Sequence, residues 1–209
     1  MKVIVIGATG SIGRLTVENL LADGHAVTAF ARKPERLGID HPDLTPWAGD
    51  ALDTAALAHA IRGQEAVVVT LGAGASRRNK IRSQGTLNVI RAMQETGVRR
   101  LVVQSTLGAH ESWSNLNFFW KHVMFGLLLA PAHRDHELQE SLVRASGLDW
   151  TIVRPSAFTD GPATAQFAAG FGPEKRGLSL KIARADIAEF LKRQITDRRH
   201  LHSAVAISN

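Results

Sequence analysis

The chain has 209 residues, enough for one domain with a sizeable core, and 44% of them are hydrophobic against 21% charged, which is typical of an ordinary globular protein. It contains no cysteine, which excludes disulfides, thiolate nucleophiles and metal sites with cysteine ligands. The net charge of +6 allows nucleic-acid binding, but the one dense basic cluster, RRNKIR at 77–82, has no aromatic residues interleaved. An anionic small ligand and a solvated basic surface explain the charge more simply, so no nucleic-acid partner is expected.

The start of the chain and one apolar stretch indicate where in the cell the protein is expected. Met1 and Lys2 lead directly into a strand-like stretch without the pattern of a secretory signal, so a cytoplasmic protein is expected. The stretch VMFGLLLAPA at 123–132 is too short to span a bilayer, so no membrane span is expected. It is predicted to form a buried or lid helix, with a membrane-surface or dimer contact as the alternative. The protein is expected to be a monomer or a homodimer.

Strand-like and helix-like segments alternate along the chain. The predicted strands, in order, are KVIVIG, HAVTAFAR, DLTPWAGD, EAVVVTLGA, LVVQST, DWTIVRPS and HSAVAIS, of which the third is weakened by Pro46. The predicted helices are SIGRLTVENLLADG, TAALAHAIRG, SQGTLNVIRAMQETG, RDHELQESLVRASG and RADIAEFLKRQIT. Strands this apolar on both faces, separated by helices, predict a parallel sheet covered on both sides. We therefore expect an α/β fold, a Rossmann-type doubly wound parallel sheet forming a single domain over residues 1–209.

The stretch from about 109 to 133 is longer than a usual connection between a strand and a helix. It predicts a helical insertion after the fifth strand, near the carboxyl edge of the sheet, where ligands bind in such folds. The insertion is expected to form part of a substrate pocket, and its aromatic residues either line that pocket or pack as core and lid. These residues are Trp113, Phe118, Phe119, Trp120 and Phe125.

Three glycines separate the first strand from the first helix in GATGSIGR. Gly7 permits a tight turn, Gly10 lets the backbone approach a pyrophosphate, and Gly13 lets the helix pack against the sheet. The amino terminus of the helix then offers N–H groups and a positive dipole end to the phosphates. Because the loop follows a strand and opens a helix, it predicts dinucleotide binding. The binding residues predicted in this loop are Gly7, Thr9, Gly10, Ser11, Ile12 and Gly13.

The end of the second strand discriminates between dinucleotides. An NAD site usually carries an acidic residue there, whereas this chain has Arg32 and Lys33, with Arg36 close by. A guanidinium binds a 2′-phosphate in bidentate fashion, so NADP(H) is favoured over NAD(H), unless these residues only line a solvated loop. Further along the chain, Asp50 is placed to accept from the adenine amino group. Ala51 beside it, and Leu71 and Gly72 in TLGA at 70–73, complete this part of the predicted cofactor site.

Several motifs together resemble the short-chain dehydrogenase/reductase superfamily over most of the chain. They are GATGSIGR, GD at 49–50, VVQSTLGA at 102–109, SGLDWTIVRP at 146–155 and ARADIAEF at 183–190, in the expected order. Within an atypical branch, DH at 135–136 ahead of ESLVRASGLDW resembles the flavin reductase/biliverdin-IXβ reductase group and NmrA-like NAD(P)-binding proteins. The resemblance implies a Rossmann fold and a nicotinamide cofactor.

The chain departs from the superfamily at its catalytic pair. The usual Tyr-x-x-x-Lys positions fall on Ala132 and His136, and the chain has no tyrosine. Hydroxyl roles then pass to Ser105 or Thr106 after the fifth strand, or to Ser156, which stands where the flavin reductase group has a histidine. His136 either contacts the nicotinamide ribose or is a surface histidine. The predicted catalytic residues are Ser105, Thr106, His136 and Ser156, of which Ser105, His136 and Ser156 are also predicted to bind the cofactor.

Three further features complete the predicted site. Arg154 is expected to anchor the loop after the sixth strand and to contribute, with Pro155, to cofactor binding. Asp186 is expected to cap or pin the last helix. HRDH at 133–136 has a spacing that a metal site can use on a helix, but no third ligand is evident, so no metal is expected.

Three functions are compatible with these features. The first is an NADPH-dependent reductase of flavin, quinone or similar conjugated acceptors, because such acceptors delocalise the incoming charge and need no phenolic acid. The second is an NmrA-like redox sensor that binds NADP(H) without turnover. The third is an epimerase or isomerase of a nucleotide-linked sugar, against which the missing tyrosine argues. The sequence favours the reductase.

Overall fold

The fold is described from a computed structural model, which covers residues 1–72 and 80–209. Ten strands are numbered in chain order: β1 Lys2–Ile6, β2 Ala26–Ala31, β3 Leu44–Ala48, β4 Ala66–Val69, β5 Arg100–Gln104, β6 Asp149–Pro155, β7 Ala157–Thr159, β8 Ala168–Ala169, β9 Lys181–Ala183 and β10 Ser203–Ser208. The α-helices are α1 Ser11–Ala22, α2 Thr54–Ile61, α3 Ile81–Thr96, α4 Ala130–Arg144 and α5 Arg184–Gln194.

The central sheet has eight strands in the order β3-β2-β1-β4-β5-β6-β10-β8. The strands from β3 to β10 run parallel, and β8 pairs antiparallel at the far edge. The order reverses between β1 and β4, so a crevice opens beyond the carboxyl ends of these two strands. This topology confirms the predicted doubly wound parallel sheet.

Helices cover both faces of the sheet, each over its own apolar layer. On one face Leu20 of α1 and Ile187 of α5 pack with sheet residues such as Val5. On the other face α2, α3 and α4 pack over Ile4 and its neighbours, with Met93 near the carboxyl end of α3 buried among them. Because the central strands are buried on both sides, their side chains are apolar without alternation, which explains why the strand pattern was readable in the sequence.

The insertion after β5 is helical but irregular. It consists of a 3₁₀ segment, His110–Asn115, and a π-helical segment, Phe119–Leu128, which leads into α4. Helix α4 begins at Ala130, four residues before the predicted start at Arg134. Pro131 lies in its first turn, where a helix tolerates proline, so the proline does not prevent this earlier start. The predicted buried or lid helix is only partly buried, since Phe125 is 9% exposed and Leu127 is 72% exposed.

Two short strand pairs were not predicted. β7 pairs with β9 in a separate two-stranded sheet, and β8 extends the main sheet by two residues. Residues 77–79 of the basic cluster and residue 73 of TLGA lie outside the described residues. Across the described ranges, none of the helices combines the length and the apolar character that crossing a bilayer requires.

Candidate active site

A cleft of about 700 Å³ lies where the sheet order reverses, and the glycine loop forms one of its walls. Gly7, Thr9, Gly10, Ser11 and Ile12 all line it. Gly7 has a φ of +90°, and an added Cβ would lie 2.9 Å from the carbonyl oxygen of Thr70, so this turn requires glycine. At Gly7 and Gly10 the backbone of the loop therefore meets the cleft without a side chain of its own.

The start of α1 faces the same cleft. Gly10 is the N-cap residue, and its position offers no side chain to bond the first N–H groups of the helix. The first turn contains no acidic residue that would repel an anion. Gly13 does not line the cleft but packs behind the loop, where an added Cβ would collide with the Gly7 carbonyl oxygen. The loop and the start of α1 thus present backbone donors and a positive dipole end to the cleft, an arrangement that suits an anion.

The side of the cleft beyond the end of β2 carries one of the three predicted basic residues. Arg32 follows β2 and lines the cleft, whereas Lys33 and Arg36 are exposed beside it and do not line it. Asp50 lines the cleft, and its Oδ1 accepts from the Leu52 N–H at 2.9 Å. Ala51, Leu71 and Gly72 also line this cleft, as do Thr70, Gly49 and Phe30. Thr70 and Gly49 belong to the quoted motifs TLGA and GD but were not among the predicted binding residues, and Phe30 lies outside both motifs.

A second cavity of about 370 Å³ adjoins the cleft, and we call it the acceptor cavity. Its walls come from the ends of β5 and β6, from the insertion, from α4 and from the segment around β7. The lining residues are Arg82, Thr106, Leu107, Leu116, Trp120, Phe125, Leu129, Ala132, His133, His136, Pro155, Ser156, Ala157, Phe158, Leu180 and Arg184. The surface is mostly apolar, with basic groups and hydroxyls at a few points, as in sites that hold small organic ligands.

The insertion contributes only some of its aromatic residues to this cavity. Trp120 and Phe125 line it, with ring centroids 5.6 Å apart. Trp113 instead packs against His133, and Phe118 and Phe119 are 75% and 53% exposed. Trp120 and Phe125 therefore match the interpretation as a pocket wall and Trp113 the interpretation as packing, whereas the exposed Phe118 and Phe119 match neither.

One glycine joins the insertion to the end of β5. Gly108 has a φ of +103°, and an added Cβ would lie 2.6 Å from Leu116 Cδ1 and 3.0 Å from Phe125 Cε2. Its carbonyl oxygen lies 2.8 Å from His133 Nε2, and its N–H donates to Ser112 Oγ at 2.9 Å. His133 is thus bonded to backbone in the cavity wall, and within residues 1–72 and 80–209 no three potential ligand side chains come together around a metal site.

The cleft and the acceptor cavity meet at three residues. Arg82 at the start of α3, His136 on α4 and Phe158 on β7 line both spaces. Ala132, the other position of the usual catalytic pair, faces the acceptor cavity one helical turn before His136. A dinucleotide whose pyrophosphate lies on the glycine loop would extend its reactive end to this junction.

His136 is held as a neutral ring with a defined tautomer. Gln139 Nε2 donates to Thr86 Oγ1 at 3.0 Å, which leaves Gln139 Oε1, 3.2 Å from His136 Nδ1, as an acceptor. This network assigns the proton to Nδ1 and leaves Nε2 as a hydrogen-bond acceptor. Burial, followed by the charge of Arg82, lowers the pKa of His136 to about 3. The ring is suited to accept from a hydroxyl or amide and is not an acid at neutral pH.

Arg82 is positioned by a carboxylate from the neighbouring helix. Asp135 on α4 accepts from the backbone N–H groups of Arg82 at 3.2 Å and of Ser83 at 3.1 Å, and from Ser83 Oγ at 2.5 Å. Arg82 Nη1 lies 3.7 Å from Asp135 Oδ2. Arg82 and Phe158 were missed by the sequence analysis. Arg82 is the last member of the cluster at 77–82, and its position as the second residue of a helix was the available signal.

The predicted hydroxyl residues are separated. Thr106 and Ser156 line the acceptor cavity, as does Pro155. The Ser156 hydroxyl donates to Ser208 Oγ at 3.0 Å and is therefore engaged with β10. Ser105 lies below the cavity surface, fully buried, and its Oγ has no hydrogen-bond partner among the described residues. Thr106 is the predicted hydroxyl residue that reaches the cavity without a long-range partner in the part of the chain described.

Arg154 lines neither the cleft nor the acceptor cavity. Its Nε and Nη2 donate to the two carboxylate oxygens of Glu140 at 2.9 and 2.6 Å, and both side chains are almost completely buried. A third contact joins Arg154 Nη1 to Glu111 Oε1 at 3.0 Å. Partial burial raises the pKa of Glu111, but hydrogen bonds from Arg154 and Arg144 outweigh this and bring the pKa to about 2. Arg154 therefore anchors β6 to α4 and the insertion and does not face the cleft.

Asp186 also has a supporting position. It is fully buried, and its carboxylate accepts from the N–H groups of Thr164 at 2.9 Å and Ala165 at 2.8 Å. It therefore pins the segment after β7 to the start of α5, close to the expected capping role.

Comparison with known proteins finds similarity to NAD(P)H-binding proteins. Residues 7–198 match the model of a family described as NAD(P)H-binding. The chain is 29% identical over 203 residues to the uncharacterized sugar epimerase YhfK of Bacillus subtilis, covering 90% of this chain and 85% of YhfK. It is 33% identical over 156 residues to a (4-alkanoyl-5-oxo-2,5-dihydrofuran-3-yl)methyl phosphate reductase of Streptomyces griseus, covering 75% of this chain and 48% of that enzyme.

Among solved structures, the chain is similar to ChuY of Escherichia coli O157:H7, described as an anaerobillin reductase. The TM-score is 0.81 at 25% identity, and the similarity covers 99% of this chain and 96% of ChuY.

Proposed function

The chain belongs to the NAD(P)H-binding family, as the resemblance to atypical short-chain dehydrogenase/reductases implied, and on that premise we propose that it is an NADPH-dependent reductase of a conjugated acceptor such as a flavin or a quinone. The observation that carries the proposal is the junction of the cleft with a largely apolar cavity at Arg82, His136 and Phe158. Two of the similar proteins, ChuY and the Streptomyces griseus enzyme, are described as reductases, which supports the reaction class.

The cleft has the features that a dinucleotide needs. The glycine loop and the start of α1 would hold the pyrophosphate, and Asp50 would accept from the adenine amino group. Arg32 lines the cleft where a 2′-phosphate would lie, and this guanidinium supports NADPH over NADH. When bound, NADPH supplies a hydride at the junction.

The residues around the junction favour an acceptor that needs no strong protein acid. Reduction of an isolated carbonyl develops an alkoxide that must be protonated, but the chain has no tyrosine and the pKa of His136 is about 3. A flavin or quinone spreads the negative charge over its conjugated system, and water then delivers the proton. Trp120, Phe125 and Phe158 provide flat apolar contacts that would orient such a ring system. The same lack of a phenol argues against sugar epimerisation.

Turnover of NADPH by the purified protein tests the proposal. Oxidation of NADPH would be followed with FMN or a small quinone as acceptor, beside NADH, and with the Gly10→Val variant as the cofactor-site control. We expect turnover that prefers NADPH and is lost in Gly10→Val, whose Cβ would already approach the Gly7 carbonyl oxygen to 3.2 Å. Tight NADPH binding with no oxidation by any acceptor would overturn the reductase.

A second candidate is a sensor that binds NADP(H) and passes its state to a partner. The observation that favours it is the exposed apolar surface of the insertion, where Phe118 is 75% and Leu127 is 72% exposed. Binding without turnover in the same assay would support the sensor.

A further inference from the structure

Arg82 presents a buried donor for which the structure shows no partner. Its side chain is 16% exposed, and its Nη1 has no hydrogen-bond partner in residues 1–72 and 80–209. The nearest carboxylate, Asp135, already accepts three hydrogen bonds from the first turn of α3 and lies 3.7 Å from that Nη1. Arg82 is thus a positively charged donor on the wall of the acceptor cavity whose hydrogen-bonding capacity is incompletely used.

Arg184 presents a similar donor on the same cavity. It is the first residue of α5, its Nη1 lies 2.6 Å from Asp160 Oδ1, and Asp160 is 94% exposed. Its Nε is buried and likewise has no partner among the described residues. The Arg184 guanidinium lies 5.6 Å from the centroid of the Phe158 ring, and Phe158 itself lines both the cavity and the cleft.

The cavity provides no compensating charge of its own. Within the described chain, its lining includes Arg82 and Arg184 but no aspartate or glutamate. Buried donors of a charged group are costly when unpaired, and an anionic ligand that bonds both guanidinium groups would remove that cost. Apolar walls combined with two guanidinium groups match a ligand with a flat apolar body and an anionic substituent.

We propose that Arg82 and Arg184 form an anion subsite in the acceptor cavity, so that the acceptor carries a carboxylate or a phosphate beside its conjugated ring system. This inference rests on the proposed reductase function and adds the charge of the acceptor to it. Arg184 lines only the acceptor cavity, whereas Arg82 also lines the cofactor cleft. The two arginines therefore allow effects on the acceptor to be separated from effects on NADPH.

FMN and riboflavin are matched probes because they share the isoalloxazine ring and differ by one phosphate. We expect wild-type protein to show a kcat/KM for FMN about tenfold or more above that for riboflavin, the effect of a charge-assisted hydrogen bond. Arg184→Gln and Arg82→Gln should each reduce this ratio towards one mainly through the KM for FMN, and Arg184→Lys should restore part of it. Arg193→Gln, on the same helix but outside the cavity, is the control and should leave the ratio unchanged.

A binding measurement makes the subsite testable independently of turnover. Quenching of flavin fluorescence by protein saturated with NADP⁺ would give the Kd for FMN and for riboflavin in the same variants. Equal Kd values for the two flavins in wild-type protein, or an unchanged FMN preference in Arg184→Gln, would overturn the subsite even if NADPH oxidation is fast. FMN-selective binding without turnover would support the subsite while removing the reductase. If Arg82→Gln raises only the KM for NADPH, the two-arginine subsite is wrong.

Discussion

Asp135 of α4 caps the first turn of α3 by accepting hydrogen bonds from both the backbone N–H and the hydroxyl of Ser83, at 3.1 and 2.5 Å. The same carboxylate accepts from the N–H of Arg82, so a single side chain holds two helices in register at the junction of the cleft and the acceptor cavity. Asp135 and Ser83 are both buried, so bulk water has little access to these donors when the carboxylate is removed.

Asp135→Ala is therefore expected to lower both stability and activity. Loss of the buried acceptor leaves donors of Ser83 unsatisfied, which should reduce the free energy of unfolding by about 2–3 kcal/mol. It also releases Arg82, so the KM for the acceptor should rise. Urea denaturation and NADPH oxidation measure the two effects. Asp53→Ala, which removes the exposed cap of α2, should cost about 1 kcal/mol and leave both KM values unchanged. Equal effects of the two variants on activity would contradict this account.

Arg32→Ala is expected to weaken NADPH and spare NADH. Removing the guanidinium that is proposed to bond the 2′-phosphate should raise the Kd for NADPH roughly 10- to 100-fold, the loss of a hydrogen bond to a charged group. Lys33→Ala is the matched control, because Lys33 is adjacent and basic but does not line the cleft. Titration of both dinucleotides into each variant is the measurement. Equal losses for NADPH and NADH in Arg32→Ala would remove the assignment of the 2′-phosphate site.

His136 is expected to make the folded protein sensitive to acid. Its pKa is lowered from 6.5 to about 3, so between these values the unfolded chain binds a proton that the folded protein excludes. The contribution of His136 to the free energy of unfolding is therefore fully present above pH 6.5, and it is lost progressively as the pH falls towards 3. His136→Gln should therefore lose less stability than wild-type protein between pH 8 and pH 5, measured by urea midpoints.

The control for this acid effect is His122→Gln, which alters an exposed histidine of the insertion. Its pH dependence should match that of wild-type protein. An identical loss in His136→Gln and wild-type protein would show that another group is responsible.

Breaking the buried pair of Arg154 and Glu140 is expected to be severe for stability. Glu140→Gln leaves a buried guanidinium without its bidentate partner, which should lower the free energy of unfolding by about 3–5 kcal/mol. The double variant Arg154→Met/Glu140→Leu should recover much of this loss, because it removes both charges.

Urea denaturation of these variants measures the loss of stability in each. The control is Glu18→Gln, which breaks an exposed ion pair on α1 and should lower the free energy of unfolding by less than about 1 kcal/mol. Because Arg154 lines neither the cleft nor the acceptor cavity, the KM for NADPH should stay unchanged in variants that remain folded. A specific rise in that KM would restore a cofactor role for Arg154.

Most of the sheet and the glycine loop were predictable because their signals are local. Runs such as AVVV in β4 are apolar on both faces, and the spacing of Gly7, Gly10 and Gly13 follows from the turn itself. The length and composition of the insertion predicted its place and its helical character, but not the kinds of helix that form it. Its π-helical segment depends on contacts of Phe125 with distant residues of the chain, and no local periodicity encodes those contacts.

Of the three residues that join the cleft to the cavity, His136 was predicted, whereas Arg82 and Phe158 were not. Arg82 belongs to a basic cluster that a solvated surface also explains, and only the fold turns its side chain towards Asp135 on a helix 53 residues away in sequence. Arg154 shows the opposite case, because its position near the end of the sixth strand favoured a role in the cofactor site. Two carboxylates from α4 and the insertion, Glu140 and Glu111, instead bind it in the interior. Charged side chains carry no information in sequence about which long-range partner they meet.

The conformation of Gly108 has a consequence for how this scaffold diversifies. Leu116 and Phe125 approach the backbone at this point so closely that any side chain at position 108 would displace them. Both residues are walls of the acceptor cavity, while the glycine loop and Arg32 lie elsewhere and would be untouched. In the proposed reductase, this one backbone position would therefore affect the shape of the acceptor cavity without touching the residues proposed to bind the dinucleotide. Substitution at residue 108 and its neighbours would then change the range of acceptors while the cofactor cleft stays the same.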